Sequence, residues 1–219
     1  MIYGERIRFR AIDRDDLPTF VKWINDPEVL QGIGIYLPFS MADEEDWFEG
    51  MRKRPPDEHN LAIEVRLPSD QAGSPSDQAG LPSDRAGSPS DQAGLPSEQD
   101  GEPNKEGGED NWKMIGSCGF FNLDKRNRSA EFGIMIGDKS YWNRGYGTEA
   151  VRLLAQHGYN TLNLNRIYLR VLETNPRAIR AYEKAGFTLE GRQRQAEFRD
   201  GKYIDMLVLS MLKDEFGHP

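Results

Sequence analysis

The 219-residue chain has a single cysteine, Cys118, and only three histidines. One cysteine forms no internal disulfide, and His59, His157 and His218 stand at no metal-ligand spacing, so neither a disulfide scaffold nor a structural metal is expected. No apolar run approaches the roughly 20 residues that a membrane-spanning helix needs. The opening Met1-Ile2-Tyr3-Gly4-Glu5-Arg6 also interleaves charges where a secretory leader would be continuously apolar. The cytoplasm is the expected location. Positive charge is in short supply too: the formal net charge is −8, which gives no electrostatic ground for a nucleic-acid or membrane partner.

That charge is unevenly placed. Residues 68–111 contain no aromatic residue, 10 acidic but only 2 basic side chains, and 6 of the 13 prolines. The rest of the chain is neutral, with 26 basic and 26 acidic groups. The stretch repeats with a period of seven, from Pro68-Ser69-Asp70-Gln71-Ala72-Gly73-Ser74 through units starting at Pro75, Pro82 and Pro89. A heptad suggests a coiled coil, but each unit carries a proline and a glycine and at most one large apolar residue, Leu81 or Leu95, which builds no seam. Such repeats bury too little to offset the entropy of ordering, so a disordered acidic insertion is predicted. Its flanks, Leu61–Leu67 with period-two alternation and Trp112–Phe121, read as two strands of one hairpin. A single domain formed by residues 1–67 and 112–219, interrupted at a hairpin tip, is therefore expected.

Around that hairpin the pattern is mixed α/β. An N-terminal strand is predicted over Ile2–Arg10. A helix capped by Asp13 carries Leu17, Phe20, Val21 and Ile24, and a second begins at the Ser40/Asp43 capping box and carries Trp47, Phe48 and Met51. A strand follows at 130–136, then a helix at 145–160, a strand at 166–172 and a helix at 176–185. Leu189 onward and Tyr203–Met211 close the chain as strands joined by the Asp200-Gly201 turn.

The chemistry starts at Tyr141-Trp142-Asn143-Arg144-Gly145-Tyr146-Gly147-Thr148-Glu149-Ala150, between a strand and a helix. Glycines here let an anionic group approach the free N–H groups and positive dipole of a helix start, which suits a pyrophosphate. The run satisfies the dinucleotide pattern G-x-G-x-x-A, yet polar and aromatic residues separate strand from glycine and no acid stands about 20 residues on. Farther along comes Asn175-Pro176-Arg177-Ala178-Ile179-Arg180-Ala181-Tyr182-Glu183-Lys184-Ala185-Gly186-Phe187, with Asn175 as N-cap, Pro176 at N1 and Gly186 as terminator.

Together these segments resemble the GNAT N-acetyltransferase superfamily. Trp23-Ile24-Asn25-Asp26-Pro27 and the closing Phe198-Arg199-Asp200-Gly201-Lys202-Tyr203-Ile204-Asp205 resemble its RimJ/RimL-like branch. The resemblance covers everything except the insertion. It implies a GNAT fold: a twisted, mainly antiparallel sheet of about 6–7 strands with a parallel splayed pair, flanked by about four helices. It implies acetyl-CoA as co-substrate and direct transfer to a primary amine, either a protein N-terminus or a small molecule, by a monomer or homodimer. The backbone of Arg144, Gly145, Tyr146, Gly147 and Thr148 would cradle the pyrophosphate, with Trp142 standing where the superfamily has Gln or Arg. Ile134, Met135 and Ile136 occupy the splayed strand whose N–H polarises the thioester carbonyl. Asn175 matches a pantetheine contact and Tyr182 the general acid near the CoA sulfur; apart from the resemblance, Glu131, opening the central strand, is a candidate general base acting directly or through water, and Glu28 is another. Cys118 reads as a small core residue rather than a nucleophile. The competing reading is a catalytically silent acyl-CoA sensor or partner-binding module on the same fold.

Overall fold

The computed structural model describes residues 1–33, 38–68 and 111–217. The reading of the heptapeptide repeat as disordered lies outside the described residues. Met1–Arg66 and Trp112–Pro219 form one compact unit. Its strands are β1 (Ile2–Tyr3), β2 (Ile7–Ala11), β3 (Leu61–Arg66), β4 (Trp112–Asp124), β5 (Ser129–Ile136), β6 (Arg166–Leu172), β7 (Thr188–Arg199) and β8 (Lys202–Leu212). The helices are α1 (Leu17–Ile24), α2 (Pro27–Leu30), α3 (Met41–Arg52), α4 (Tyr146–Asn160) and α5 (Pro176–Ala185).

The eight strands make one sheet in the order β1-β2-β3-β4-β5-β6-β8-β7. Every neighbouring pair is antiparallel except β5 and β6. This is the expected architecture with one strand and one helix more. The extra strand arises because Gly4 donates to the Ile7 carbonyl at 2.8 Å, a turn that folds Ile2–Tyr3 back on Arg8–Phe9. The extra helix is α2, capped by Asp26 and started by Pro27. Asp13 caps a 3-10 turn, Arg14–Asp16, that leads into α1, while Ser40 and Asp43 form the anticipated reciprocal box. Arg66 stands opposite Trp112 in register, so β3 and β4 are the two arms of a hairpin.

Two cores lie on opposite faces of the sheet. Ala130 and Phe132 of β5 face a core shared with Val151, Leu154, Tyr159 and Tyr182 of α4 and α5. On the other face, Leu17, Phe20, Trp23, Phe48 and Met51 of α1 and α3 pack together with Met135 against their edge. Alternation along a strand produces this division. Cys118 is 1% exposed within the first core, and burial pushes its thiol well above the ordinary range. Among the described residues, no helix is long and apolar enough to cross a membrane.

One buried acid sets a pH dependence. Glu44, on the inward face of α3, is 2% exposed, and desolvation raises its carboxyl from the ordinary 4.5 to about 7. The folded protein then holds a proton that the unfolded chain has already released between those values, so stability falls as pH rises through that window and levels off above it. Glu44→Gln is expected to flatten the melting-temperature profile between pH 5 and 7.5 and to raise the midpoint at pH 8. An unchanged slope in scanning calorimetry would contradict this origin.

Candidate active site

The site begins where two strands part. β5 pairs with β6 only from Ser129↔Arg166 to Glu131↔Tyr168, and beyond that β6 continues beside β8 alone. Ile134, Met135 and Ile136 therefore keep β4 on one side and lose their neighbour on the other. Alternate backbone amides on that edge are left for a ligand. The opening is a cleft of about 370 Å³ that is lined by these three residues and by parts of α4, α5 and the segment after α2.

At its upper end lies the start of α4. Gly145 is the N-cap at φ +85°, a left-handed conformation that glycine adopts without strain, and it contributes no side-chain cap. The N–H groups of Tyr146, Gly147 and Thr148 thus begin the helix without an intrahelical acceptor. The acid in this first turn, Glu149, is turned away from them. Its carboxylate accepts from the Arg6 backbone N–H and Nε, both at 2.8 Å. The same guanidinium donates to the Arg144 carbonyl at 3.2 Å and lies over the Tyr146 ring. Gly145, Gly147 and Thr148 line the cleft; Arg144 and Tyr146 do not, being held from behind by Arg6.

Trp142 takes a structural place of its own. Its indole N–H donates to the Ile136 carbonyl at 2.6 Å, and the Arg177 guanidinium stacks 3.3 Å above its ring. The turn is in this way fastened to the end of the splayed strand. Arg177, Arg180 and Lys184 all reach the cleft from α5, whereas no Asp or Glu is among the described residues lining it.

Asn175 performs two tasks at once. Its side-chain oxygen accepts from Ala178 N–H at 3.1 Å, capping α5, and its amide N–H donates to the Gly32 carbonyl at 3.4 Å. Arg199, at the end of β7, donates to the carbonyls of Leu30, Gln31 and Ile33 at 3.0, 3.4 and 2.7 Å. Four successive carbonyls, from the last residue of α2 onward, are thus held by side chains far along the chain. Gly32 and Ile33 form the wall opposite α5. Just past the end of β5, the Trp23 ring of α1 covers Gly137 so closely that an added Cβ would lie 2.2 Å from it.

Tyr182 is 8% exposed, with its ring edge-on to Phe132 at 5.8 Å. It lines the cleft, and its hydroxyl has no hydrogen-bond partner among the described residues. Burial raises the phenol well above its ordinary value, which keeps the proton in place at neutral pH.

Glu131 is placed differently from the sequence expectation. It is 4% exposed, its carboxylate receives Asn122 at 3.0 Å and Arg170 at 2.7 Å, and it is not among the cleft's lining residues. The cause is register: Glu131 stands at the last paired position of β5 and β6, before the strands part. Glu28 is exposed and paired with Lys139 at 2.6 Å. Glu131→Gln keeps the Asn122 contact and leaves Arg170 half in solvent, so a stability loss of about 1 kcal/mol with kcat within threefold is expected. A kcat loss beyond 100-fold at unchanged melting temperature would return the base to Glu131.

Arg6, Arg199, Gly32, Ile33 and the three α5 cations are site residues that sequence reading did not single out. Only the cations carried a local signal, their i, i+3, i+7 spacing on one helix.

Comparison with known proteins bears on this geometry. The sequence profile of the acetyltransferase (GNAT) domain matches residues 6–188. The uncharacterized N-acetyltransferase p20 of Bacillus licheniformis is 38% identical over 105 residues, covering 48% of this chain and 58% of that protein. A spermidine N(1)-acetyltransferase of Vibrio cholerae is 30% identical over 103 residues, covering 47% and 59%. The chain thus spans a little under three fifths of the length of these curated relatives. The crystal structure of spermidine N-acetyltransferase from Vibrio cholerae in complex with CoA and spermine shares the fold, with a TM-score of 0.70, 19% identity and coverage of 97% and 98%.

Proposed function

Because the chain belongs to the acetyltransferase (GNAT) domain family, we propose that it is an acetyl-CoA-dependent N-acetyltransferase that passes the acetyl group directly to a primary amine. The observation that carries this reading is the cleft itself. Among the described residues, an uncapped helix start, a strand edge without a partner and an unbonded buried hydroxyl open into one space that is lined by cations and by no carboxylate. The residues present fit the donor. Gly145, Gly147 and Thr148 would take the pyrophosphate, Asn175 the pantetheine arm, and the Ile134–Ile136 edge the thioester end.

The donor supplies an activated acetyl group. The chain supplies position and protons. A fixed N–H on the splayed edge stabilises charge developing on the carbonyl oxygen without reorganising. Tyr182 holds a proton in an apolar setting and delivers it to the departing sulfur. With Glu131 engaged by Arg170 and Asn122, the acceptor amine is proposed to lose its proton through water. The spermidine N(1)-acetyltransferases among the relatives favour a small amine over a protein N-terminus, with spermidine the first acceptor to test. The test is thiol release from acetyl-CoA in the presence of spermidine, other small amines and N-terminal peptides, with the acetylated product identified by mass spectrometry. Amine-dependent release supports the assignment; its absence across all three classes would overturn it.

A further inference from the structure

The wall opposite α5 has little support of its own. α2 is four residues long, and so short a helix is marginal without outside contacts. Past it, Gln31, Gly32 and Ile33 spend their N–H groups on the carbonyls of Pro27, Val29 and Leu30 at 3.2, 3.0 and 3.2 Å. The carbonyls of Gln31, Gly32 and Ile33 receive no backbone donor among the described residues, the usual deficit of a helix end. Side chains from elsewhere make it good: Arg199 forks over Leu30, Gln31 and Ile33, and Asn175 takes Gly32. Arg199 is the last residue of β7 and precedes Asp200 and Gly201, both at positive φ, 51° and 76°, as a type I′ hairpin turn requires. The chain returns at once as β8, with Lys202 opposite Arg199, so the guanidinium is carried on a tight hairpin end. Its Nε is buried and bonded to nothing among the described residues, and no carboxylate among them pairs with it. A cation drawn out of water to meet the carbonyls of one turn acts as a helix cap supplied by a distant strand.

Resting on the acetyltransferase reading, we propose that Arg199 is a positioning residue for the acceptor amine: it caps α2 from the end of β7 and thereby sets the wall against which the amine meets the thioester. Arg199 does not itself line the cleft, so it acts through the turn that it holds. The assignment to the acceptor follows from what the donor leaves over. Of the elements lining the cleft, β5, α5 and α4 with the turn leading into it carry the groups given to acetyl-CoA, whereas Val29, Gly32 and Ile33 carry none. The guanidinium suits the task because its planar fork spans several carbonyls at once, which an ammonium cannot do. Its hydrogen bonds are charge-assisted and withdrawn from water, so the turn is held in one place rather than sampled.

The experiment combines steady-state kinetics at saturating acetyl-CoA with calorimetric titration of acetyl-CoA, on the full chain as wild type, Arg199→Ala and Arg199→Lys. The varied amine is spermidine, or whichever amine the thiol-release assay identifies. Arg199→Ala is expected to raise the KM for the amine by about 10-fold or more, with kcat and the dissociation constant for acetyl-CoA each within about threefold of wild type. Arg199→Lys should recover part of that loss and keep a KM about threefold or more above wild type. A merely structural role reads differently, because partial unfolding removes active molecules and so lowers kcat without moving KM. An unchanged amine KM in Arg199→Ala, or a rise matched by equal weakening of acetyl-CoA, would overturn the assignment while leaving the donor site standing. If Arg199→Ala does not fold, Arg199→Lys decides on the same constants, and a wild-type KM there would overturn it. Absence of turnover in the wild type with every amine would instead remove the acetyltransferase reading, and this inference with it.

Discussion

Replacing Gly147 with glutamate is expected to weaken acetyl-CoA binding by at least about 100-fold while leaving the melting temperature unchanged or slightly higher. Stability and binding part company here for a structural reason. Gly147 is the second residue of α4, and an added Cβ would meet nothing closer than Ile136 Cγ1 at 4.0 Å, an ordinary contact. Glutamate is the better helix former, by several tenths of a kcal/mol, and an acid in the first turn is favoured by the helix dipole. The same carboxylate stands where the pyrophosphate would be received, and like-charge apposition costs several kcal/mol. Gly147→Ala serves as the comparison, with binding reduced far less. Calorimetry and thermal unfolding on the three proteins decide the matter; retained binding in the glutamate variant would show that the donor does not use this turn.

The second large effect falls on chemistry alone. Tyr182→Phe should lower kcat by about 10²- to 10³-fold, the usual contribution of a positioned acid, with the dissociation constant for acetyl-CoA within threefold. Phenylalanine preserves the ring contacts to Phe132 and Phe187 and removes a hydroxyl that bonds to nothing among the described residues. No loss of stability is expected. The substitution therefore separates an acid from a packing tyrosine. It also separates an enzyme from a sensor, because a silent acyl-CoA binder has no turnover to lose. A variant that retains kcat would assign the leaving-group proton to solvent.

What was legible in the sequence divides along a physical line. Features fixed by neighbours in the chain could be read directly. The α5 caps at Asn175 and Gly186, the Ser40/Asp43 box and the glycine turn at Gly145 each depend on a few adjacent residues. The β3–β4 pairing was readable because a strand pattern stands on each side of the insertion, alternating at Leu61–Leu67. Features fixed by distant pairing were not. Glu131 could be named from the sequence as a candidate base, but only the β5–β6 register brings Arg170 beside it. Arg199 carried no signal of its own in the sequence, yet it holds carbonyls more than 160 positions away. The N-terminal run, read as one strand over Ile2–Arg10, is broken at Gly4, where the chain turns back on itself. The α5 cations were visible in their spacing, but their place on the cleft follows from how several elements come together.

The most direct test of the donor site is a titration of the 219-residue chain with acetyl-CoA, CoA and NAD, with the Gly147→Glu protein run alongside. The geometry predicts binding of acetyl-CoA and CoA with dissociation constants of about 1–100 μM, within the usual range for enzyme substrates, no heat with NAD, and loss of both CoA signals in the variant. NAD binding without CoA binding would turn the glycine motif into a dinucleotide site and contradict the account.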